Sequence, residues 1–438
     1  MAPRTAVPRV IVASLIGTSL EWYDFFLYTS AAALVLGKLF FPTFAPLTGT
    51  LLAFATSSVA FVARPLGGIV FGHFGDRVGR RTVLVATLLV MGVATALIGL
   101  LPTYQTIGAA APVLLVALRF MQGIGLGGEW GGAVLMSAEH AGPERRGFAA
   151  SWPQVGVPAG NLLATGVLLG MNALLPDKAF LSWGWRVPFL LSAVVVLVGL
   201  WVRSTVAESP LFAEAAAEGT TVKLPLLEVL RRHPRGLLVA MGARIGTDVA
   251  FYTFVVYVLT YITGVVKLPR EAGLSAVLVG SAAQLVLIPL FGAASDRFGR
   301  RPVYLAGAVG AAIWAFAFFP LLHTGSRSLI ILTVTVALLT HAAMYGPQAA
   351  MIAEMFDTEL RYSGASMGYQ VAGILGGGLA PIIAIKLVAS TGSALAVSWY
   401  VFGALVITVV AVLAAPETAH RVLDRRRTAT AATTPVAA

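Results

Sequence analysis

Seven ionisable side chains lie inside long apolar stretches of the sequence. They are Glu21, Asp24, Arg64, Arg119, Glu129, Arg244 and Asp248. A charge at the centre of a membrane helix costs about 2.5–3.5 kcal/mol on insertion scales, so such residues face a bundle interior and have partners there. A buried carboxylate can carry a proton, whereas a guanidinium group can only attract an anion. These side chains are therefore the first candidates for chemistry.

The composition indicates the solvent around the protein. Of 438 residues, 58% are hydrophobic and only 11% are charged. A soluble domain carries roughly a quarter charged residues, so the composition excludes a disordered, collagen-like or ordinary cytosolic protein. The sequence contains no cysteine, no phosphate-binding loop, no metal-ligand spacing and no nucleophile–base arrangement. We therefore expect a membrane protein without enzyme activity, metal or cofactor.

Twelve apolar runs are long enough to cross the roughly 30 Å hydrocarbon core as helices. They lie at about residues 10–36, 51–74, 82–101, 112–138, 147–172, 186–205, 237–264, 272–294, 302–322, 328–355, 364–390 and 394–415. The runs are continuous and do not alternate, which excludes a β-barrel. The sequence thus predicts an all-α membrane protein with twelve transmembrane helices.

The basic residues predict the orientation of these spans. With a cytoplasmic N-terminus, twenty Lys and Arg residues fall in cytoplasmic segments and seven on the opposite side. This bias follows the positive-inside rule and accounts for most of the net charge of +11. We therefore expect both termini in the cytoplasm, a lipid bilayer around the helices and no nucleic-acid partner.

One motif occurs twice, after span two and after span eight. The pattern G-x-x-x-D-R-x-G-R-R covers residues 72–81 and again residues 292–301, half the chain apart. A repeat of six spans is typical of transporters with two bundles around a shared site. The predicted domains are an N-terminal bundle (1–205), a central cytoplasmic loop (206–236), a C-terminal bundle (237–415) and a basic, disordered tail (416–438).

The duplicated motif also predicts a conformational latch. Gly79 and Gly299 permit tight turns, and Asp76 and Asp296 can cap the next helix and pair with arginines. The predicted latch consists of Gly72, Asp76, Arg77, Gly79, Arg80, Arg81, Asp296, Arg297, Gly299, Arg300 and Arg301. Topology anchoring would explain an isolated R-x-G-R-R, but the duplication of the whole motif favours the latch.

The duplicated motif resembles that of the major facilitator superfamily, and other stretches resemble its metabolite:H⁺ symporter family. These stretches are EWYDFFLY (21–28), FVARPLGG (61–68), GDRVGRR (75–81), RFMQGIGLGGEWGGA (119–133), YGPQAAMIAEMF (345–356) and RYSGASMGYQ (361–370). The family includes carriers for shikimate, α-ketoglutarate, citrate, other organic acids, and proline or betaine. The resemblance implies two pseudo-symmetric six-helix bundles and proton-driven uptake of a small, usually carboxylated metabolite across the plasma (inner) membrane.

Span one supplies the candidates for proton coupling. Glu21, Asp24 and Tyr28 lie within about a 60° arc of one helix face, near the membrane midplane. Asp24 is the leading proton site and Glu21 the second. Arg119 of span four can attract either of these carboxylates or the substrate, which would couple the two. A permanent Arg119–Asp24 salt bridge is the structural alternative.

Polar side chains inside the spans are candidates for substrate contact. They are Tyr28, Arg119, Gln122, Gln154, Asn161, Arg244, Asp248, Tyr252, Tyr345, Gln348, Tyr369 and Gln370. Amides and tyrosines can also join helices to one another, and Arg244 and Asp248 can form an internal i,i+4 pair. For Arg64, pathway lining and a structural role remain equally open.

The sequence therefore predicts a monomeric secondary active transporter that couples protons to the uptake of a small organic anion by alternating access. Three alternatives remain. The first is a proton-coupled carrier for a zwitterion such as proline or betaine, and the second is a uniporter or exporter of the same fold. The third is a membrane sensor that binds a ligand without transporting it.

Overall fold

The computed structural model describes residues 6–78, 80–127, 134, 137–138, 141, 143–204, 225–356 and 361–419. For residues 6–14, 72–78, 80–84, 143, 195, 201–204, 225–227 and 362, only the backbone is considered. Glu129 and Gly79 lie outside the described residues. The predicted central loop is described from Pro225 onward, where the helix Pro225–Arg232 lies. The domain boundaries stay predictions.

Twelve long helical segments follow one another along the described chain. In the N-terminal half they are α1 (Ala6–Ala31, extended to Phe40), α2 (Pro46–Val78), α3 (Arg80–Leu100), α4 (Ala110–Gly127), α5 (Arg146–Leu174) and α6 (Arg186–Ser204). In the C-terminal half they are α7 (Pro234–Val266), α8 (Arg270–Phe298), α9 (Arg300–His323), α10 (Arg327–Glu354), α11 (Arg361–Thr391) and α12 (Leu395–Ala414). The prediction of an all-α fold is confirmed.

The burial pattern is that of a protein surrounded by lipid. By length and composition, nine helices of the described chain could cross a membrane, and α6 makes a tenth when taken together with Asp177–Gly184 before it. Large apolar side chains such as Leu197 and Ile313 point outward and are 66% and 69% exposed. The guanidinium-bearing Arg119 is fully buried. Soluble proteins bury large apolar side chains and expose charged ones, so the opposite arrangement fits a multi-pass membrane protein.

The helices of the two halves pair in the same order. In the N-terminal half, α1 packs against α5, α2 against α4 and α3 against α6. In the C-terminal half, α7 packs against α11, α8 against α10 and α9 against α12. Across the halves, α5 packs against α8 and α2 against α11, a second symmetric set. Two pseudo-symmetric bundles therefore meet along four helices.

The sequence placed the duplicated motif in the segments after spans two and eight, but in the structure it lies within the helix ends. Helix α8 runs to Phe298 and α9 begins at Arg300, so Gly299 alone turns the chain. Its φ of 99° lies in the region that favours glycine, as predicted. Helices α2 and α3 end and begin at the corresponding positions on either side of residue 79.

Close packing of α2 on α4 depends on glycine. A Cβ atom at Gly123 would lie 2.3 Å from the Ala60 carbonyl oxygen, and one at Gly67 would lie 2.0 Å from that of Ile124. Both obstacles are backbone atoms of the facing helix, which cannot move aside without separating the helices. The close contact between α2 and α4 at Gly67 and Gly123 therefore fixes the position of Arg64, which lies on α2 between Ala60 and Gly67.

We expect Gly123→Ala to lower the thermal midpoint of the purified protein in detergent. The added methyl group forces α2 and α4 apart, at a cost of about 1–3 kcal/mol for overpacking. Gly403→Ala on α12 is the matched control, because nothing lies within 4 Å of the added Cβ. It should leave the midpoint unchanged or raise it. Equal midpoints for both variants would contradict the packing argument.

Candidate substrate and proton-coupling site

Asp24 lies on α1 and faces hydroxyl groups of two neighbouring helices. Its carboxylate accepts a hydrogen bond from the Ser192 hydroxyl of α6, and the Thr95 hydroxyl of α3 also faces it. Only 3% of Asp24 is exposed. The hydrogen-bond partners that the leading proton candidate finds here are thus neutral. Glu21, the second candidate, is buried on the same helix.

Arg119 of α4 is linked to the Asp24 environment through an amide. Its Nη1 donates to Gln122 Oε1 at 2.7 Å, and Gln122 Nε2 donates to the Thr95 hydroxyl at 2.5 Å. The guanidinium group also lies 3.8 Å from the centroid of the Tyr28 ring. Within the described chain, the salt bridge between Arg119 and Asp24 does not form. Among the described residues, Arg119 Nε and Nη2 are buried without a hydrogen-bond partner.

Arg64 of α2 is held by aromatic rings. Its guanidinium carbon lies 4.1 Å from the Phe61 ring centroid and 4.7 Å from that of Phe25. Only 1% of the residue is exposed, and its Nε and Nη2 find no hydrogen-bond partner in the described part of the chain. Cation–π contacts stabilise the charge but leave these N–H donors unsatisfied. In the part of the chain that the structure describes, neither Arg64 nor Arg119 forms a salt bridge.

The predicted internal pair on α7 is observed. Arg244 Nη2 lies 3.1 Å from Asp248 Oδ1, and its Nη1 donates to Gln348 Oε1 at 3.2 Å. The guanidinium carbon lies 3.1 Å from the Tyr369 ring centroid. Asp248 Oδ2 remains buried without a partner among the residues that the structure describes. Arg244 is therefore fixed on three sides, whereas one oxygen of Asp248 is free.

Gln348, which binds Arg244, belongs to a network of hydroxyl and amide groups in the C-terminal half. Gln348 Nε2 donates to the Tyr304 hydroxyl at 2.6 Å, and that hydroxyl lies 2.7 Å from the Thr247 hydroxyl. The hydroxyls of Tyr345 and Tyr369 lie 3.2 Å apart. Gln348 and Tyr345 thus position the Arg244–Tyr369 pair in the C-terminal half.

Aromatic rings meet where the two halves face each other. The Tyr252 ring of α7 lies 5.6 Å from Phe61 and 6.2 Å from Phe25, edge to face. Arg64 interacts electrostatically with Tyr252, Tyr369 and Asp248 across the halves. The charged groups of both bundles therefore surround one small region that aromatic rings line.

The other predicted contact residues join helices. Asn161 Nδ2 donates to the Ser281 hydroxyl at 2.9 Å, between α5 and α8. Gln370 Nε2 donates to the Gly127 carbonyl at 3.2 Å, between α11 and α4. The Tyr28 hydroxyl bonds to Thr56, and Gln154 is buried in α5. Two of these contacts connect the halves of the chain.

Asp296 joins the halves at the end of the bundle that carries the duplicated motif, the motif end. Its two oxygens accept hydrogen bonds from the backbone N–H groups of Gly147 and Phe148, each at 2.8 Å. Arg300 Nη1 also lies 2.7 Å from Asp296 Oδ1. The predicted pairing with an arginine is observed, but the helix that Asp296 caps is α5, not the following helix α9. The structure corrects this part of the prediction.

Glu354 completes the ion cluster at the motif end. It lies 3.0 Å from Arg146 Nη1 and 3.3 Å from Arg300 Nη2, and it accepts a 2.6 Å hydrogen bond from the Thr418 hydroxyl. Arg146 comes from α5, whereas Arg300 and Glu354 come from the C-terminal half. The cluster is buried, so removing one partner leaves an uncompensated charge.

Glu417 lies just beyond α12 and caps the start of helix α9, the helix that Asp296 was predicted to cap. Its carboxylate accepts hydrogen bonds of 3.0 and 3.1 Å from the backbone N–H groups of Arg300 and Arg301 at the start of α9. It also accepts bonds from Thr418 and Ala419. Partial burial raises the pKa of this carboxyl, but the backbone donors outweigh it and lower the pKa below its ordinary value.

The remaining latch residues divide into two groups. Arg297 is exposed and lines a cavity of about 480 Å³ with Asp296 and Phe148, so it does not join the ion cluster. Arg301 Nη2 donates to the Leu413 carbonyl at 2.8 Å. For the first copy of the motif, the latch predictions lie outside the described side chains; these are Gly72, Asp76, Arg77, Gly79, Arg80 and Arg81.

Several residues of the site were missed from the sequence. Ser192 and Thr95 are neutral side chains in apolar runs, and Phe25 and Phe61 are ordinary apolar residues there, so composition marks none of them. Glu417 carried one usable signal, because it is an acidic residue directly after a span. An ion pair between Asp177 and Arg270 lies at the opposite end of the bundle, the far end.

The fold and the site define a class of protein: two symmetric helix bundles with buried charges where they meet form a secondary transporter. The chain belongs to the major facilitator superfamily. Residues 9–219 match the family described as sugar (and other) transporter, and residues 269–437 match the family described as Major Facilitator Superfamily. Its relatives are transporters and not enzymes.

Three curated relatives are transporters from Escherichia coli (strain K12). The inner membrane metabolite transport protein YhjE is 44% identical over 95% of each chain, and the shikimate transporter is 44% identical over 87% of each. The proline/betaine transporter is 33% identical over 95% of this chain and 84% of the relative. The chain therefore lies among the metabolite transporters of the superfamily, as the quoted motifs predicted.

Solved structures confirm the fold. The proton:xylose symporter XylE, bound to 6-bromo-6-deoxy-D-glucose, superposes with a TM-score of 0.74 over 95% of this chain and 97% of its own. An inward-open structure of the same transporter from E. coli gives a TM-score of 0.68. Identities of 19% and 20% limit these likenesses to the architecture.

The contacts of Asp296 allow a test of closure at the motif end. Ser151 of α5 is fully buried there against Gly292 of α8. The chain has no native cysteine, so Ser151→Cys provides a single label. We expect Asp296→Asn to raise the rate at which a maleimide reacts with this cysteine, because the charge and one acceptor for the α5 N–H groups are lost.

Asp177→Asn is the matched control for this experiment, because its carboxylate pairs with Arg270 at the far end. It should leave the labelling rate at the motif end unchanged or lower it. An unchanged rate in Asp296→Asn would contradict a role for these hydrogen bonds in closing the motif end.

Proposed function

We propose that the protein takes up a small organic anion together with protons by alternating access. The observation that carries this proposal is the pair of buried guanidinium groups of Arg64 and Arg119. Neither forms a salt bridge within the described chain, and each has two N–H-bearing nitrogens without a partner. A buried unsatisfied donor costs about 1–3 kcal/mol, and more when it is charged. A substrate carboxylate would satisfy both groups.

The aromatic surroundings of these arginines support the same conclusion. Phe61, Phe25 and Tyr28 stabilise the positive charges by cation–π contact without consuming N–H donors. The donors stay available to an anion, which guanidinium groups bind through paired hydrogen bonds. The name of the shikimate transporter, a 44% identical relative, supports a carboxylated substrate.

The surroundings of Asp24 support proton coupling. Gln122 links Arg119 to Thr95 through two short hydrogen bonds, and the Thr95 hydroxyl faces the Asp24 carboxylate. In the ionised form, Asp24 attracts Arg119 through a low-dielectric interior. A substrate anion that binds Arg119 removes this attraction, and protonation of Asp24 then becomes more favourable. Substrate and proton binding thus favour each other, which is the requirement for symport.

The contacts at the motif end support alternating access. Asp296, Arg146, Glu354 and Arg300 hold α5 against α8, α9 and α10, so opening this end must break them. We propose that this cluster, with Gly299 and Arg301, acts as the latch. We further propose a monomer in the inner membrane with both termini in the cytoplasm, since one chain supplies both bundles.

We expect Asp24→Asn to abolish shikimate accumulation in proteoliposomes that carry an inwardly directed proton gradient. Counterflow exchange of shikimate should survive, because an amide can still accept from Ser192 but cannot release a proton. Asp177→Asn is the matched control and should accumulate shikimate normally, since its carboxylate is 83% exposed. Normal accumulation by Asp24→Asn would remove Asp24 from the role, and wild-type uptake that ignores the gradient would favour a uniporter.

We expect Arg119→Lys to weaken carboxylate binding by at least about 10-fold, because an ammonium group lacks the planar fork of donors. Binding is measured as the concentration dependence of the thermal shift, over a panel of shikimate, 2-oxo acids, dicarboxylates, tricarboxylates, aromatic acids, proline and betaine. Arg327→Lys at the exposed far end is the control and should bind as the wild type does. Unaltered binding in Arg119→Lys would contradict the anion site.

A further inference from the structure

The contact between α5 and α8, the seam, joins the two halves at three levels. At the motif end, Asp296 of α8 accepts hydrogen bonds from backbone N–H groups of α5. Near the centre, Asn161 of α5 donates to Ser281 of α8. At the far end, Asn172 Nδ2 of α5 donates to Glu271 Oε1 in the first turn of α8. Hydrogen bonds therefore connect the halves at both ends and in the middle of the seam.

The far-end contact is less complete than the motif-end contact. Both oxygens of Asp296 accept from N–H donors. Asn172 Oδ1, in contrast, is buried and finds no hydrogen-bond partner among the described residues. An amide oxygen accepts but cannot donate, so only a donor can satisfy it. A buried acceptor without a partner destabilises the conformation in which it is buried.

The carboxyl group that Asn172 already contacts can supply this donor. An ionised carboxylate has acceptors only, so Glu271 in that form leaves Asn172 Oδ1 unsatisfied. A protonated carboxyl group carries one O–H donor beside its remaining acceptor. It accepts from Nδ2 and donates to Oδ1 of the same amide. One proton thus changes a contact with one hydrogen bond into a contact with two.

We propose that Glu271 is a proton-binding site at the far end of the seam, and that its protonation locks the far end closed through Asn172. The inference rests on the proposed function for its orientation, in which the motif end is cytoplasmic and the far end faces outward. Protons from an acidic exterior then hold the far end closed behind the substrate, and loss of the proton lets it open again. Proton binding and closure favour each other.

This proton site differs from Asp24 in place and in role. Asp24 accepts from Ser192 within the N-terminal half, whereas Glu271 lies between the halves, so its proton acts on their contact directly. Opening of the motif end leaves the far end of the seam closed. The Glu271 proton therefore returns to the side from which it came, and it regulates the far end without being transported.

Other charged groups surround this end of α8. Those on α8 and on the elements packed against it are Asp177, Lys178, Lys267, Arg270, His323 and Arg327. Arg270 pairs with Asp177, and Arg327 of α10 donates to Ser275, one turn along α8 from Glu271. Lysine and arginine keep their charge between about pH 4.5 and pH 8, whereas carboxyl and imidazole groups can titrate there. Asp177 and His323 must therefore be separated from Glu271 by experiment.

The test measures the width of the far end at different pH values. The chain has no native cysteine, so Leu174→Cys and Thr324→Cys together carry one spin label on each half. Leu174 ends α5 and is 79% exposed, and Thr324 lies in the exposed turn after α9. Double electron–electron resonance on the full-length protein in nanodiscs gives the populations of long and short distances. We expect the ratio of long to short distances to fall about 3- to 10-fold on acidification, the effect of one added hydrogen bond.

Glu271→Gln distinguishes a proton switch from a merely structural contact. Glutamine donates through Nε2 and accepts through Oε1 at every pH, so it imitates the protonated acid. We expect the short distance to dominate over the whole range in this variant. Asn172→Leu removes the amide and should favour the long distance without a response to pH. Asp177→Asn and His323→Gln are the controls and should respond to pH as the wild type does.

The outcomes separate the lock from the proposed function. A pH response that persists in Glu271→Gln, or a wild-type distance that ignores pH, would overturn the inference. A response that disappears in Asp177→Asn or His323→Gln would also overturn it. Loss of the response in Asp24→Asn, with retention in Glu271→Gln, would assign the effect to Asp24 and leave the proposed function standing. Shikimate uptake that ignores the proton gradient, beside a normal far-end response, would overturn the proposed function and leave the lock.

Discussion

Removal of charge from water is the constraint on which the rest of this structure depends. A guanidinium or carboxylate group inside a bundle must find a partner, because the lipid outside offers none. Arg244 pairs with Asp248 one turn away on the same helix. Glu354 pairs with Arg146 and Arg300 from other helices. The charge of Arg64 is compensated only in part, because the aromatic rings around it stabilise the charge but leave N–H donors without partners in the described chain. The positions of the helices follow from these pairings.

The extent of pairing differs between the end and the centre of the bundle. At the motif end, Asp296 and Glu354 use their oxygens on arginines and on backbone N–H groups of the facing half. In the centre, Arg119 and Asp248 retain atoms without partners. Satisfied groups hold two surfaces together, whereas unsatisfied groups are available to a ligand. Within the described chain, the motif end is thus held by paired charges, whereas the centre keeps buried polar atoms without partners.

Hydrophobic run length and the repeated motif were sufficient to predict the twelve helices and their symmetry, because lipid imposes length and composition on every span. The i,i+4 pair of Arg244 and Asp248 was likewise predictable, since helix geometry places them together. The sequence could not decide whether Arg119 and Asp24 form a salt bridge, which they do not in the described structure, because two residues on different helices can be near without touching. Thr95 and Gln122 occupy the space between them.

The sequence by itself determined that the chain is a helical membrane protein, which side chains are costly to bury and where the turn at Gly299 falls. These are local properties of composition and backbone. Only the tertiary structure decided that Asp296 caps α5 while Glu417 caps α9, and that Arg119 donates to Gln122 rather than pairing with Asp24 in the described structure. Such choices depend on which helix ends and side chains meet in three dimensions, and the order of residues along one helix does not encode that.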